Sequence, residues 1–181
     1  MSLLDPTIEH YVLDKSKWKV DRSIILNSEG KKIGEISRKN LSFKLGINLE
    51  EPSGEIVCTI NGKLTDGRHV YNVILPDSVV AGSIQVVAKS FKDAISIYNA
   101  EGETIFNVHS RPKTWHFDIH HPDDMTKIFA IIKKEKKFRK NFSSSINFKD
   151  RYVIDVIDSS MDRLMLLACA IIIISDSSKT L

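Results

Sequence analysis

The sequence predicts a mainly β, barrel-like domain that encloses one hydrophobic helix near the C-terminus. Two observations lead to this prediction. Short β-rich segments alternate with turn residues along most of the chain, and one late apolar segment has no polar face. No helices are available as crossovers between the strands, which argues for a sandwich or barrel and against an α/β fold. A chain of 181 residues suits a single domain, residues 1–181.

Twelve segments have strand character, because they are rich in β-branched or aromatic residues and are bounded by Gly, Asn or Pro. Ile56–Ile60 and Val70–Ile74 are the clearest of them. We expect an irregular stretch at Lys133–Ser145 and a frayed tail at Ser175–Leu181. The twelve predicted strands are 8–13, 18–26, 31–37, 41–48, 54–60, 69–75, 83–89, 94–98, 103–109, 114–120, 127–134 and 151–157.

One turn recurs between these segments. Asn27–Gly30 and Asn99–Gly102 both place Asn first and Gly last, and these residues tolerate the left-handed conformation of tight hairpins. Glu51–Gly54 is a looser copy, and His121–Asp124 is another without the glycine. Either the chain reuses a common turn or the hairpins form an internal repeat. Both interpretations predict the same fold.

The apolar segment 161–175 is predicted to be the core helix. It follows Asp158–Ser160, any of which could cap a helix N-terminus. A helix that is apolar all round must be surrounded, and a closed sheet is the simplest surround. Two alternatives stay open, a buried central strand and a truncated membrane anchor. The apolar run Leu164–Ile174 is much shorter than the roughly 20 residues that a membrane span needs.

The composition limits the function classes. The net charge of +3 is too small to indicate nucleic-acid binding by itself. Cys58 and Cys169 lie far apart and outside any metal-binding spacing, which favours a reducing, cytoplasmic compartment. Residues 1–14 do not resemble a secretory signal. We find no motif for nucleophilic catalysis or phosphate binding, and therefore predict no catalytic residue, cofactor or enzymatic activity.

A basic stretch is the strongest candidate site. Cations with interleaved aromatic residues suit anionic headgroups, at about 1 kcal/mol for each basic residue near a charged membrane. The alternative is a solvated strand edge, where lysines prevent aggregation. The predicted lipid-binding residues are Lys133, Lys134, Lys136, Lys137, Arg139 and Lys140.

A second candidate is the run that contains His116, Asp118 and His120. These side chains would share one face of a strand and could approach a metal ion. Because alternating His and Asp also describe an ordinary exposed sheet face, and no second ligand segment is evident, we predict no metal site.

Several segments together resemble a known superfamily. Ala94–Glu103 resembles its strand, turn and Gly-Glu hairpin, and Trp115–Ile119 with Lys127–Lys134 resembles its next hairpin. Arg151–Val156, followed by the run through Met165–Cys169, resembles its last strand and C-terminal helix. The pattern is similar to the tubby C-terminal-like superfamily, which joins phospholipid scramblases, LURP-one-related proteins and tubby domains.

The resemblance implies an antiparallel, twelve-stranded closed barrel around a central hydrophobic helix, without a known active site. Tubby domains bind phosphoinositides, and scramblases are associated with calcium-dependent lipid movement. In scramblases an acidic loop is proposed to bind calcium. The corresponding residues, Ser143–Arg151, hold one carboxylate, so we infer no calcium site. The LURP-one-related form is the closer relative.

The leading functional hypothesis is a non-enzymatic, cytoplasmic barrel, peripheral at the membrane, that binds anionic phospholipid, phosphoinositide or a protein partner. We expect no nucleic acid and no obligate membrane span. One alternative is a small-ligand or metal-binding enzyme that uses the mouth of the barrel. Another is a scramblase-like membrane protein anchored by its C-terminal helix.

Overall fold

In a computed structural model the described residues form twelve strands and one helix. The structure describes residues 2–19, 22–41, 44–65, 68–87, 95–111, 114–137 and 149–176. The elements are β1 (His10–Lys19), β2 (Arg22–Leu26), β3 (Lys32–Leu41), β4 (Lys44–Glu50), β5 (Ile56–Thr65), β6 (Arg68–Ile74), β7 (Val80–Val87), β8 (Ile95–Asn99), β9 (Thr104–Ser110), β10 (His116–His121), β11 (Asp124–Lys137), β12 (Lys149–Val156) and α1 (Arg163–Asp176).

The strands form one closed antiparallel barrel. Each strand pairs with its neighbours in sequence, and β1 pairs with β12 to close the ring. At the closure His10 lies opposite Asp155, and Leu13 lies opposite Tyr152. Closure leaves none of the described strands with a free edge that could pair with another chain. The predicted mainly β fold, with twelve strands around a C-terminal helix, is confirmed.

Two predicted boundaries are wrong. The predicted strand 18–26 is divided, because β1 continues to Lys19 and β2 begins at Arg22. The irregular stretch predicted from Lys133 begins too early, because β11 continues to Lys137, which lies opposite Lys149 on β12. Lysine has a low intrinsic strand preference, and pairing with a neighbouring strand overrides it here.

The helix α1 is the core of the barrel. Every residue from Met165 to Ile174 is at most 3% exposed, so the helix is enclosed on all sides. Inward side chains of the strands surround it, among them Tyr11, Ile84 and Ile119. A helix with this all-apolar surface is stable only when it is buried throughout. The segment predicted to be helical is therefore a helix, and the central-strand alternative is wrong.

The start of α1 is fixed by two adjacent polar residues. Asp162 caps the helix, because its Oδ1 accepts a hydrogen bond of 3.0 Å from the Met165 N–H. Asp158, one of the predicted caps, instead accepts hydrogen bonds from the N–H and hydroxyl of Ser160. Arg163 is buried, and its guanidinium donates to the carbonyls of residues 6, 8 and 161. These bonds tie the N-terminal segment to the helix.

Four hairpin turns share one hydrogen-bond pattern. In each turn the first residue donates its N–H to the carbonyl of the fifth, and the fourth donates its N–H to the carbonyl of the first. The fourth residue has a positive φ in every case: Gly30 (78°), Gly54 (89°), Ser78 (68°) and Gly102 (84°). Their even spacing along the chain favours the internal-repeat interpretation. The turn at 121–124 differs, because His121 lies directly opposite Asp124.

Candidate functional site

Strand direction separates the charges of the barrel into two ends. The end at which α1 finishes, called here the basic end, is also where β1 finishes and β2 begins. Half of the twelve strands begin or end there at a cation: Lys19, Arg22, Lys44, Arg68, Lys137 and Lys149. At the opposite end, one of the described strands begins or ends at a cation, which is β3 at Lys32.

The end at which α1 begins, called here the acidic end, carries mostly carboxylates. They lie in the hairpin turns, at the ends of β4 and β11, and in the segments that precede β1 and α1. Its described carboxylates are Asp5, Glu9, Glu29, Glu50, Glu51, Glu55, Asp77, Glu101, Glu103, Asp123, Asp124, Asp158 and Asp162. Among the described residues, cations are therefore concentrated at one end of the barrel and carboxylates at the other, with Asp150 and Asp176 as carboxylates of the basic end. The net charge is only +3.

The predicted basic stretch lies on β11 as that strand approaches the basic end. Successive strand residues point to opposite faces, so Lys133 and Lys134 diverge. Lys133 lies on the outer wall, where its Nζ is 2.7 Å from Asp155 Oδ2. Lys134 lies opposite Tyr152, and its Nζ is 5.8 Å from the centroid of that buried ring. Lys133 and Lys134 therefore do not belong to one continuous surface.

Asp155 joins three strands on the outer wall. Its Oδ1 is 2.7 Å from His10 Nδ1 on β1, and its Oδ2 binds Lys133 on β11. Partial burial alone would raise the pKa of this carboxyl. Hydrogen bonds from Lys133 and His10 outweigh that effect and hold the pKa below its ordinary value. Asp155 therefore stays ionised and neutralises one of the predicted lipid-binding lysines.

The other predicted residues lie further along the chain. Lys136 is opposite Asp150 in the strand pairing, and Lys137 is opposite Lys149. Arg139 and Lys140 lie outside the described residues. Within the described chain, the basic stretch thus reaches the basic end through the last residues of β11.

Sequence reasoning missed the cations that other strands bring to the same end. Lys63, near the end of β5, and Arg68, at the start of β6, are exposed. Arg22 begins β2, and its side chain is 70% exposed. Strand direction could have identified them from the sequence. In an antiparallel barrel, every odd-numbered strand finishes, and every even-numbered strand begins, at the same end of the barrel.

The His/Asp face of β10 is an ion-pair cluster. Arg111 Nε is 2.7 Å from Asp118 Oδ2, and His116 Nε2 is 3.1 Å from Asp118 Oδ1. Burial alone would raise the pKa of Asp118, but Arg111 and His116 lower it below its usual value. His120 lies beside His109, with ring centroids 5.5 Å apart. In the described part of the chain, no three His, Cys, Asp or Glu side chains are arranged to hold a metal ion.

Neither the barrel interior nor its thiols resemble a reactive site. The interior is filled by α1, and burial raises the pKa of Cys58 and of Cys169 to about 12. An open pocket of about 620 Å³ lies at the acidic end, between the N-terminal segment and the turns that contain Glu51 and Pro76. The Glu51 carboxylate in this pocket already accepts hydrogen bonds from the Ser2 hydroxyl and the Leu3 N–H.

Comparison with known proteins identifies relatives of this chain. A family model described as LURP-one-related matches residues 8–174. The fold is similar to an X-ray structure of a protein from Arabidopsis thaliana, with a TM-score of 0.55 and 12% identity over 98% of each chain. At that identity the likeness shows the fold alone. No curated protein matched. Among the described residues, no helix is both long and apolar enough to cross a membrane.

Proposed function

Because this chain belongs to the LURP-one-related family and its barrel is polarised, we propose that it is a non-enzymatic module that binds anionic phospholipid at a membrane surface. The binding surface is the basic end, which the predicted basic stretch reaches through Lys136 and Lys137. The single observation that supports the proposal most is that half of the strands begin or end at Lys or Arg on this end.

The electrostatic energies favour membrane contact by the basic end of the barrel over contact by its outer wall. Each Lys or Arg close to an anionic membrane contributes about 1 kcal/mol, and the attraction falls off within a Debye length of about 8–10 Å at physiological salt. Six strands place a cation at one end of the barrel, and one membrane could contact these cations together, although Arg22 is also paired with Glu35 at 3.6 Å. On the outer wall, Lys133 and Arg111 are each neutralised by a carboxylate. The wall consequently offers less attraction than the end.

Vesicle sedimentation tests the proposal. We expect the protein to sediment with phosphatidylcholine vesicles that contain about 30 mol% phosphatidylserine and to stay in solution with pure phosphatidylcholine. Binding should weaken as salt rises from about 0.05 to 0.5 M, because screening shortens the reach of each charge. Changing Lys136, Lys137, Arg139 and Lys140 to Ala should reduce it further.

Equal, negligible sedimentation with both kinds of vesicle would refute the proposal. Sedimentation with both kinds of vesicle that changes neither with salt nor with the four substitutions would also refute it. The basic end could instead recognise an acidic protein partner. In that case the protein would not sediment with anionic vesicles, but it would still bind the partner in a salt-sensitive way. Among the described residues, no specific side chain or cavity supports the other two hypotheses, an enzyme at the barrel mouth and a membrane-anchored scramblase-like protein.

A further inference from the structure

One hairpin presents an apolar side chain at the basic end. Leu64 lies one residue before the end of β5 and is 67% exposed. Its neighbour Lys63 is exposed, and so is Arg68 at the start of β6. In the strand pairing Leu64 lies opposite His69, and Thr65 lies opposite Arg68. The described part of this hairpin thus combines a bulky apolar group with two exposed cations.

The hairpin lies across the barrel from the basic stretch. In the closed ring β5 and β11 are separated by five strands in either direction. A flat surface that touches the wall at β11 would not reach Leu64. A flat surface laid across the basic end would contact both the β5–β6 hairpin and the last residues of β11. Only an end-on orientation brings both sets of cations to one plane.

Two further features favour this orientation. The outer wall near β11 holds Asp118 and Asp155, each already paired with a cation, so the wall has little charge left to attract a membrane. The acidic end would face away, because its carboxylates are repelled by anionic lipid. An exposed apolar group flanked by cations suits a bilayer, where the cations meet headgroups and the apolar group enters the boundary below them.

Resting on the proposed function, we propose that the barrel docks end-on, with α1 close to the membrane normal and Leu64 inserted between the headgroups. The partner is a bilayer with anionic lipid and not a soluble polyanion, since a soluble polyanion offers no apolar phase for Leu64. Lys63 and Arg68 contribute to the docking surface although they lie far from the basic stretch in sequence and around the ring.

A fluorescent probe at position 64 tests insertion. The native cysteines, Cys58 and Cys169, are 0% exposed, so Leu64→Cys would carry the single reactive thiol among the described residues. Val79→Cys is the matched control, because Val79 is 53% exposed in a hairpin turn at the acidic end. Each variant is labelled with an environment-sensitive fluorophore and mixed with anionic or neutral vesicles, or with inorganic polyphosphate.

With anionic vesicles we expect a blue shift of the probe at 64 and its quenching by spin-labelled lipid, and neither effect at 79. Polyphosphate should leave the emission at 64 unchanged. Vesicle binding without a response at 64, a response at 79, or an equal shift with polyphosphate would overturn end-on docking. These results would leave the proposed function standing if unlabelled protein still sediments with anionic vesicles. Failure of that sedimentation would refute the proposed function itself.

Charge reversal on the far hairpin provides a second measurement. Lys63→Glu with Arg68→Glu should weaken binding to anionic vesicles about tenfold or more, since two attractive groups become repulsive. Both side chains are exposed, so the folded barrel should persist, which circular dichroism would verify. Unchanged affinity in the folded double variant would show that the β5–β6 hairpin takes no part in docking and would overturn the inference.

Discussion

Lys133 and Asp155 form an ion pair across the outer wall of the barrel, with Lys133 Nζ 2.7 Å from Asp155 Oδ2. The two residues are 22 positions apart in sequence, and the pairing of β11 with β12 brings them together. The pair couples the stability of the barrel to the charge available for binding, because the same carboxylate that fixes Lys133 also cancels its charge.

Asp155→Asn should therefore weaken the fold and strengthen binding to anionic vesicles by less than about fivefold. A freed lysine at the membrane surface contributes about 1 kcal/mol, and Lys133 lies on the wall, four residues before the end of β11 that faces the membrane. Loss of the ion pair at this half-exposed site should lower the free energy of unfolding by about 1 kcal/mol, measured by urea denaturation.

Asp158→Asn is the matched control for that change. Asp158 lies at the acidic end and pairs with Lys127 at 3.4 Å, so the substitution removes the same charge from the same kind of pair. It should leave vesicle affinity nearly unchanged. Equal strengthening by both variants would show that net charge, and not the position of the charge, controls binding.

The stability of the barrel should fall in acid because of Asp118 and Asp155. Both pKa values are lowered in the folded protein. Between the lowered pKa and the ordinary value near 4, the unfolded chain binds more protons than the folded one. The contribution to stability is thus fully present above pH 4 and is lost as pH falls through the folded pKa values.

Urea titrations between about pH 2 and 6 measure that dependence. The double variant Asp118→Asn with Asp155→Asn should show a shallower loss of stability below pH 4 than the native chain. An identical slope in the two proteins would contradict the role assigned to these carboxylates.

Ser78→Gly should stabilise the protein. Ser78 holds a φ of 68°, where the other three equivalent turns use glycine. The left-handed conformation costs a non-glycine residue about 1–2 kcal/mol, partly offset by the larger freedom of glycine in the unfolded chain. We expect a gain of about 0.5–1 kcal/mol in the free energy of unfolding.

Gly102→Ala is the reciprocal test of the turn. Its φ is 84°, and an added Cβ would meet nothing within 4 Å, so any cost is conformational. We expect a loss of about 1 kcal/mol. Should Ser78→Gly destabilise the protein, or Gly102→Ala leave it unchanged, the shared conformation of these turns would not control stability.

Gly82→Ala should destabilise the contact between the barrel wall and the helix. A Cβ at this position would lie 2.4 Å from the Tyr98 carbonyl oxygen and 2.9 Å from Met165 Cε. Overpacking of this kind costs about 1–3 kcal/mol. Adding Met165→Ala should not restore stability, because the clash with the Tyr98 backbone remains and a cavity is created. Full recovery in the double variant would contradict this prediction.

The sequence was sufficient for the fold because the relevant patterns are local. Turn residues and β-branched runs mark each strand, and the segment through Met165 and Ile174 shows its burial by having no polar face. The capping residue was not predictable, because the three residues before Met161 have equally suitable side chains. Asp162 is the cap because the helix begins at the residue directly after it.

The candidate site was only half visible in the sequence. Lys133 to Lys140 stand out because they are adjacent, whereas Lys63 and Arg68 join them only after strand direction and ring closure are known. The alternation that separates Lys133 from Lys134, and the pairing of Lys133 with Asp155, depend on register. Register is a property of paired strands and cannot be read from a charge run.

The most direct test of the account reverses two adjacent lysines at each end of the barrel. Lys136→Glu with Lys137→Glu changes the basic end, and Lys31→Glu with Lys32→Glu changes the acidic end by the same amount of charge. Sedimentation with anionic vesicles should fall about tenfold or more for the first pair and little for the second. Equal loss in both, or no loss in the first, would contradict the central claim that one end of the barrel binds the membrane.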